Sequence, residues 1–217
     1  MCKQPLIILT GPTAVGKTSL SIKLAKKIGA QIISADSMQV YRHMDIGTAK
    51  ITSSEMQGVK HYLIDEIEPT EEFNVTIFKE KALKAIEQIR NDGYIPMIVG
   101  GTGFYIQALL YDIEFQDNDA DTSYRQELYQ LEKEKGAMYL YEMLKNVDPK
   151  SAESIHYRNV KRVVRALEYY KQTGNRISEH NEEQRKKDSP YNYKYFVLND
   201  IRDNLYERIN KRVDIMF

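Results

Sequence analysis

What this chain of 217 residues has little of narrows its class before any motif is read. It holds one cysteine, Cys2, so no intramolecular disulfide is possible and a reducing compartment is the natural expectation. It has no excess of either charge: 31 Lys and Arg stand against 31 Asp and Glu. That balance argues against a uniformly basic nucleic-acid binder. It leaves room for a local basic patch, because counterion release counts the charges at the contact and not the total. No segment approaches the roughly 20 apolar residues of a membrane span. The opening Met1-Cys2-Lys3-Gln4-Pro5 runs straight into strand-like sequence, without the pattern of a signal peptide. The four histidines, His43, His61, His156 and His180, are scattered and lack metal-ligand spacing. A monomeric cytoplasmic protein with no membrane partner is expected. What is present is a hydrophobic content of 42%, enough for one sizeable core, or for a core plus a smaller inserted unit.

Short apolar runs alternate with helical patterns through the first half. Leu6–Thr10, Gln31–Ala35, His61–Ile64 and Ile95–Val99 read as strands, the first and last as buried parallel ones. Between them, Leu20, Leu24 and Ile28 recur every four residues over Lys17–Ile28, which predicts a helix that Gly29 stops. Val75–Asn91 and Phe104–Tyr111 read as further helices. This alternation predicts an α/β fold with a parallel sheet flanked by helices. Asp112–Thr122 is acidic and polar and reads as a connector. From Ser123 to Lys187 the pattern is helical throughout, with helices expected at Ser123–Lys135, Ala137–Asn146, Pro149–Ser154, Val160–Thr173 and Ile177–Lys187. Tyr193–Asn199 reads as one more strand, followed by an amphipathic helix from Arg202. The architecture expected is a sheet domain over 1–112 and 191–217, interrupted by an all-helical insertion over 113–190. The chain stops at Asp214-Ile215-Met216-Phe217 without a helix-ending signal, which reads as a truncated end.

The sharpest motif is Gly11-Pro12-Thr13-Ala14-Val15-Gly16-Lys17-Thr18, which satisfies G-x-x-x-x-G-K-[ST] between a strand and a helix. Its glycines let backbone N–H groups curl toward an anion, and the following helix turns its positive end to the same place. Lys17 can neutralise an outer phosphate, and Thr18 can reach a magnesium ion. The motif specifies a diphosphate or triphosphate and not its hydrolysis. The usual partner, an apolar strand ending in a magnesium-supporting Asp, is poorly matched by Leu63-Ile64-Asp65, and the strong strand Ile95–Val99 ends in Gly100-Gly101-Thr102 instead.

Asp36 and Thr102 follow strand ends. In an open parallel sheet those ends border the ligand crevice, so both are expected to face the phosphate loop. A carboxylate there can support magnesium or act as a general base. Either residue can equally be a helix N-cap, and the residues alone do not decide between cap and catalyst.

Five segments together resemble the bacterial tRNA dimethylallyltransferases: GPTAVGKT, ISADSMQVYRHMDIGTAK (Ile33–Lys50), PMIVGGTGFYIQALL (Pro96–Leu110), NVKRVVRALEYYKQTG (Asn159–Gly174) and LYERINKRV (Leu205–Val213). The order is the family's, and the resemblance covers nearly the whole chain. It implies a P-loop NTPase-like sheet with a helical insertion that binds tRNA. It also implies transfer of a dimethylallyl group from dimethylallyl diphosphate to N6 of the adenine beside the anticodon, with Mg2+ as cofactor. Carried over residue by residue, Gly11 to Thr18 and Arg212 hold the diphosphate. Asp36 is the base, and Thr102 bonds at the reacting centre. Ser37, Met38 and Gln39 face the substrate, and Arg125, Lys161, Arg162, Val163, Val164 and Arg165 contact tRNA.

For the basic segment the residues leave two readings. Arg158, Lys161, Arg162 and Arg165 share one helical face. It can be a solvated face with Glu153 and Glu168 nearby, or a set of phosphate contacts. Three rival functions also stand beside the resemblance. An isopentenyltransferase for free adenine nucleotides would need no helical insertion. A small-molecule kinase would consume ATP. An RNA-binding module would have no use for an intact Gly11, Gly16, Lys17 and Thr18.

Overall fold

The computed structural model describes residues 3–114 and 123–216. Near-continuous apolar runs produce the inner strands Ala30–Ala35 and Ile95–Gly100, buried on both faces, while the edge strand Tyr191–Val197 is largely exposed; all align in one direction. In chain order they are β1 (Gln4–Thr10), β2 (Ala30–Ala35), β3 (His61–Tyr62), β4 (Ile95–Gly100) and β5 (Tyr191–Val197). They form one sheet in the order β3-β2-β4-β1-β5, with every pair parallel. Around it lie α1 (Lys17–Ile28), α2 (Ser53–Met56), α3 (Val75–Asn91), α4 (Gly103–Leu110) and, at the end of the chain, α10 (Arg202–Met216). The result is an α/β fold of the P-loop NTPase-like type. One core joins Phe78, Ile86 and Ile89 of α3 and Ile106 and Leu109 of α4 to Ile8, Ile33 and Ile98. A second joins Ile22 and Ala25 of α1 to Ile32 and Met97. Parallel strands place all their carboxyl ends at one edge, and the phosphate loop, Asp36 and Gly101 leave the sheet there.

The expected strand His61–Ile64 is shorter than its apolar run. Leu63 and Asp65 both adopt left-handed backbone, at φ of 61° and 55°, and turn the chain out of the sheet. The four-residue α2 was not anticipated. It is too short to show a hydrophobic period, and a capping box between Thr52 and Glu55 nucleates it.

The chain divides into two compact units, Met1–Ile113 with Ser189–Phe217, and Glu114–Asp188. Most of the expected connector, residues 115–122, lies outside the described residues. The second unit holds α5 (Ser123–Lys135), α6 (Ala137–Val147), α7 (Pro149–Ser154), α8 (Val160–Thr173) and α9 (Ile177–Lys186). Leu128, Leu140, Leu144, Val163, Val164 and Leu167 form its core. Asp148, only 1% exposed, fastens two of these helices. Its carboxylate accepts from the backbone N–H (3.0 Å) and hydroxyl (2.7 Å) of Ser151, and from the same pair on Ser178 at the same distances.

Burial alone would raise the Asp148 pKa, but those four donors overcome it and hold the carboxyl below its ordinary value. Its contribution is therefore complete above the unfolded-state pKa and is lost as pH falls through the lower folded-state value. Asp148→Ala is expected to cost about 2–3 kcal/mol at neutral pH, measured by urea denaturation. The deficit relative to wild type should shrink as the titration moves into the acid range.

Candidate functional site

The phosphate loop is built on backbone conformations that few side chains tolerate. Gly11 has φ 148° and Gly16 φ 96°, and Ala14 between them is left-handed at 63°. A Cβ on Gly11 would lie 2.4 Å from the backbone oxygen of Leu198, just past β5. The loop ends at Gly16, the N-cap of α1, with no side-chain cap. The first N–H groups of α1 are thus left to an anion. Lys17 Nζ donates to the carbonyls of Gly11 and Pro12, both at 2.8 Å, which curls its ammonium back over the loop.

A cleft of about 1110 Å³ opens from this loop. Its walls include Lys17, Thr18, Asp36, Met38 and Gln39, then His43 to Thr48, then Gly100 and Gly101, and finally Ile209, Arg212, Val213 and Met216 of α10. Asp36 is half-buried there. Its Oδ1 accepts from the backbone N–H of Met38 (2.8 Å) and of Gln39 (3.3 Å). It is therefore a local cap and a cleft carboxylate at once. Its Oδ2 makes no hydrogen bond among the described residues.

Arg212 Nη2 reaches the carbonyls of Thr48 (3.5 Å) and Ala49 (3.4 Å), which also accept from Gln39 Nε2 at 3.3 Å each. Three of the cleft's charges, Lys17, Asp36 and Arg212, act on one another. Burial first, and then repulsion from Arg212, lower the Lys17 pKa, while attraction to Asp36 opposes them. Two cations and one carboxylate around a glycine-rich loop suit a diphosphate beside a proton acceptor.

The expected residues are not all placed alike. Thr102 starts α4 and does not line the cleft, whose wall at that strand end is Gly100 and Gly101. Its backbone N–H donates to Ala35 (3.2 Å), and its carbonyl accepts from Tyr105 and Ile106. Val163 and Val164, expected among the tRNA contacts, are corrected: they are 0% and 2% exposed in the helical unit's core, so their side chains are closed to RNA. Lys161 and Arg162 are exposed and Arg165 is half-exposed, as helical periodicity requires when the valines point inward. Glu168 is not part of a solvated face. It is 2% exposed, and it takes Arg125 in a two-pronged pair at 3.0 and 2.8 Å, with Arg165 at 3.5 Å.

The strand-end Asp65 is also resolved. Its carboxylate pairs with Lys50, and it is Ile64, not Asp65, that lines the cleft. Among the described residues no cluster of three or more His, Cys, Asp or Glu could hold a metal by itself. None of their helices is long and apolar enough to cross a membrane. Among the cleft residues missed from sequence are the loop His43 to Thr48, His61, and the α10 stripe Ile209, Val213 and Met216. The four- and three-residue spacing of that stripe was the available signal.

A fold and cleft of this kind define a phosphate-binding α/β enzyme, and the comparisons say which. The family model for IPP transferase matches residues 39–217, and the chain belongs to that family. It is 64% identical over 213 residues to a tRNA dimethylallyltransferase of Lachnoclostridium phytofermentans, a match covering 98% of this chain and 68% of that protein. The solved tRNA delta(2)-isopentenylpyrophosphate transferase of Staphylococcus epidermidis is 46% identical, with a TM-score of 0.63, over 99% of this chain and 69% of that one. A eukaryotic dimethylallyltransferase acting on tRNA is 32% identical, with a TM-score of 0.83, over 98% of this chain and 52% of that one.

The charge arrangement fixes a pH behaviour. Lys17 should lose its proton below the ordinary lysine value of 10.5, so diphosphate affinity should begin to fall earlier on the alkaline side than for an unperturbed lysine. Arg212→Met removes a repulsive neighbour and should move that limb upward, while Asp36→Asn should move it downward. Calorimetric titration with inorganic diphosphate across the alkaline range checks both signs.

Proposed function

We propose that this chain transfers a dimethylallyl group from dimethylallyl diphosphate to N6 of the adenine beside the anticodon of a tRNA. The observation that carries the reading is the meeting, in one cleft, of the phosphate loop with Lys17, Arg212 and the Asp36 carboxylate. Asp65, placed after β3 where a hydrolytic enzyme would keep a magnesium-supporting carboxylate, is bound to Lys50 and does not line the cleft, whereas Asp36 does. The names of the relatives point to the same reaction.

The chemistry follows from the charges. The lone pair of adenine N6 attacks the allylic carbon, the bond from that carbon to the diphosphate oxygen breaks, and the N6 proton passes to Asp36. N6 is a weak nucleophile, so the proton must leave as the new C–N bond forms. Negative charge grows on the departing diphosphate, where Lys17, Arg212 and the N–H groups of the loop receive it. Thr102, which begins α4 directly after the Gly100-Gly101 wall, is the reacting-centre residue that the family resemblance implies. Mg2+ fits as an ion carried in with the diphosphate. The single hydroxyl of Thr18, exposed in the first turn of α1, suits a cation that takes most of its oxygens from phosphate and water. When bound, the ion supplies further charge neutralisation on the leaving group. The target base must leave the anticodon-loop stack to be modified. The exposed Lys161 and Arg162, with Arg165 and Arg125, hold the RNA backbone. The protein acts as a monomer in the cytoplasm.

Incubation with dimethylallyl diphosphate and an anticodon stem-loop, followed by mass spectrometry of the RNA, should show the added five-carbon unit. Asp36→Ala should lower that transfer by about a hundredfold or more. Transfer to free AMP instead, or phosphoryl transfer from ATP, would replace this reading with a nucleotide isopentenyltransferase or a kinase. For the RNA contacts, Lys161→Ala and Arg162→Ala should each lower the slope of log affinity against log salt by about one unit or slightly less.

A further inference from the structure

The segment Tyr41–Lys50, which ends in the DIGTAK sequence, contributes a continuous stretch of cleft wall from His43 to Thr48 but has little regular structure to hold its shape. It contains two left-handed residues, His43 at φ 63° and Ala49 at φ 45°. Ile46 lies 67% exposed. A wall of this kind keeps one geometry only if something fastens it.

The fastening is Lys50. Its side chain is only 4% exposed, an unusual place for an ammonium. All three of its donors are used: the Asp45 carboxylate at 2.6 Å, the Tyr41 carbonyl at 2.7 Å, and the Asp65 carboxylate. Asp45 and Tyr41 belong to the segment itself, whereas Asp65 lies beyond β3. Lys50 therefore closes the segment on itself and ties it to the sheet. Arg42 adds a parallel strap through the Asp65 carbonyl (3.1 Å) and Glu68 (2.8 Å). Burial opposes the charge on Lys50, yet Asp45 and Asp65 outweigh it and leave its pKa above the ordinary lysine value, so the clamp stays charged.

We propose that Lys50 is a positioning residue for the acceptor. By bridging Asp45 and Asp65 it holds the Met44–Thr48 wall in the shape that receives the target base opposite Asp36, without touching either substrate. The proposal rests on the dimethylallyl-transfer reading, and it assigns to the DIGTAK segment a role separate from the phosphate loop. The phosphate loop is built from β1, α1 and Leu198, and none of these is fastened by Lys50.

The test separates the two sides of the cleft. Affinities for inorganic diphosphate and for an anticodon stem-loop with an unpaired adenine are measured on wild type, Lys50→Met, Lys50→Arg and Asp45→Asn, with thermal unfolding alongside. Lys50→Met should weaken RNA binding about tenfold and diphosphate binding by no more than about threefold, the smaller loss arising through Arg212, whose Nη2 rests on the Thr48 and Ala49 carbonyls of the same segment. Lys50→Arg should recover part of the loss, because it keeps a cation for the two carboxylates. Asp45→Asn, which leaves the tie to Asp65 in place, should cost RNA affinity a few-fold and serves as the deciding variant if Lys50→Met does not fold. Equal loss on both ligands, or a fall in unfolding temperature with RNA affinity unchanged, overturns the proposal. Wild type that binds diphosphate but not RNA overturns the transfer reading instead.

Discussion

Two approaches of backbone to backbone that leave no room for a Cβ set the geometry of the cleft. At Gly11 the chain passes so close to the Leu198 carbonyl that a methyl group would sit 2.4 Å from it. At Gly100 the same added group would lie 2.2 Å from the Ala35 carbonyl. The first contact sets the phosphate loop against the end of β5, and the second draws the end of β4 against the end of β2, immediately before Asp36. Because both lie at the carboxyl edge of a parallel sheet, they bring the loop, the carboxylate and the Gly100-Gly101 wall to one opening. Leu198 N–H donating to Thr10 at 2.8 Å and Thr102 N–H donating to Ala35 at 3.2 Å continue the ladder past the strands and keep this edge stiff. A stiff edge matters because a diphosphate is held by many short dipoles, each of which loses its worth when displaced.

The electrostatics follow from that placement. Lys17 and Arg212 come from opposite ends of the chain, and their repulsion is part of what lowers the Lys17 pKa. Two cations held near one another without an anion are under electrostatic strain, which a diphosphate relieves when it binds. Asp36 moderates the strain, and its second carboxylate oxygen is left without an intramolecular partner among the described residues. The same residue thus belongs to the field that receives the leaving group and offers the oxygen that takes a proton.

Much of this was readable in the sequence where the signal is local. The phosphate loop and α1 depend on glycine spacing, on a fourfold apolar repeat and on a stop at Gly29, all within a few residues. The end of β3 was not readable, since left-handed backbone at Leu63 and Asp65 leaves no mark that separates an apolar turn from an apolar strand. Val163 and Val164 show a different failure. The resemblance implies tRNA contact for each residue of Lys161–Arg165, although helical geometry turns Lys161, Arg162 and Arg165 outward and the valines inward. Glu168 shows the reverse case. A charged residue among basic neighbours reads as solvated, and only packing reveals it as the buried carboxylate that orients Arg125.

Asp65 ties the acceptor wall of the cleft to the end of β3. A carboxylate after a short apolar strand is where a nucleotide-hydrolysing P-loop protein would support its magnesium ion. Here left-handed backbone takes Asp65 off the strand's line, and a lysine fifteen residues earlier occupies its carboxylate. A buried ammonium is stable only if its partners repay the lost hydration, and Lys50 has two carboxylates and a carbonyl. The arrangement commits negative charge to loop geometry, away from the phosphate end. A reaction in which the diphosphate departs from carbon needs cations around the leaving group and a single base at the acceptor. An additional carboxylate beside the phosphates would oppose the charge that Lys17 and Arg212 are placed to receive, and the tie to Lys50 keeps Asp65 out of that role.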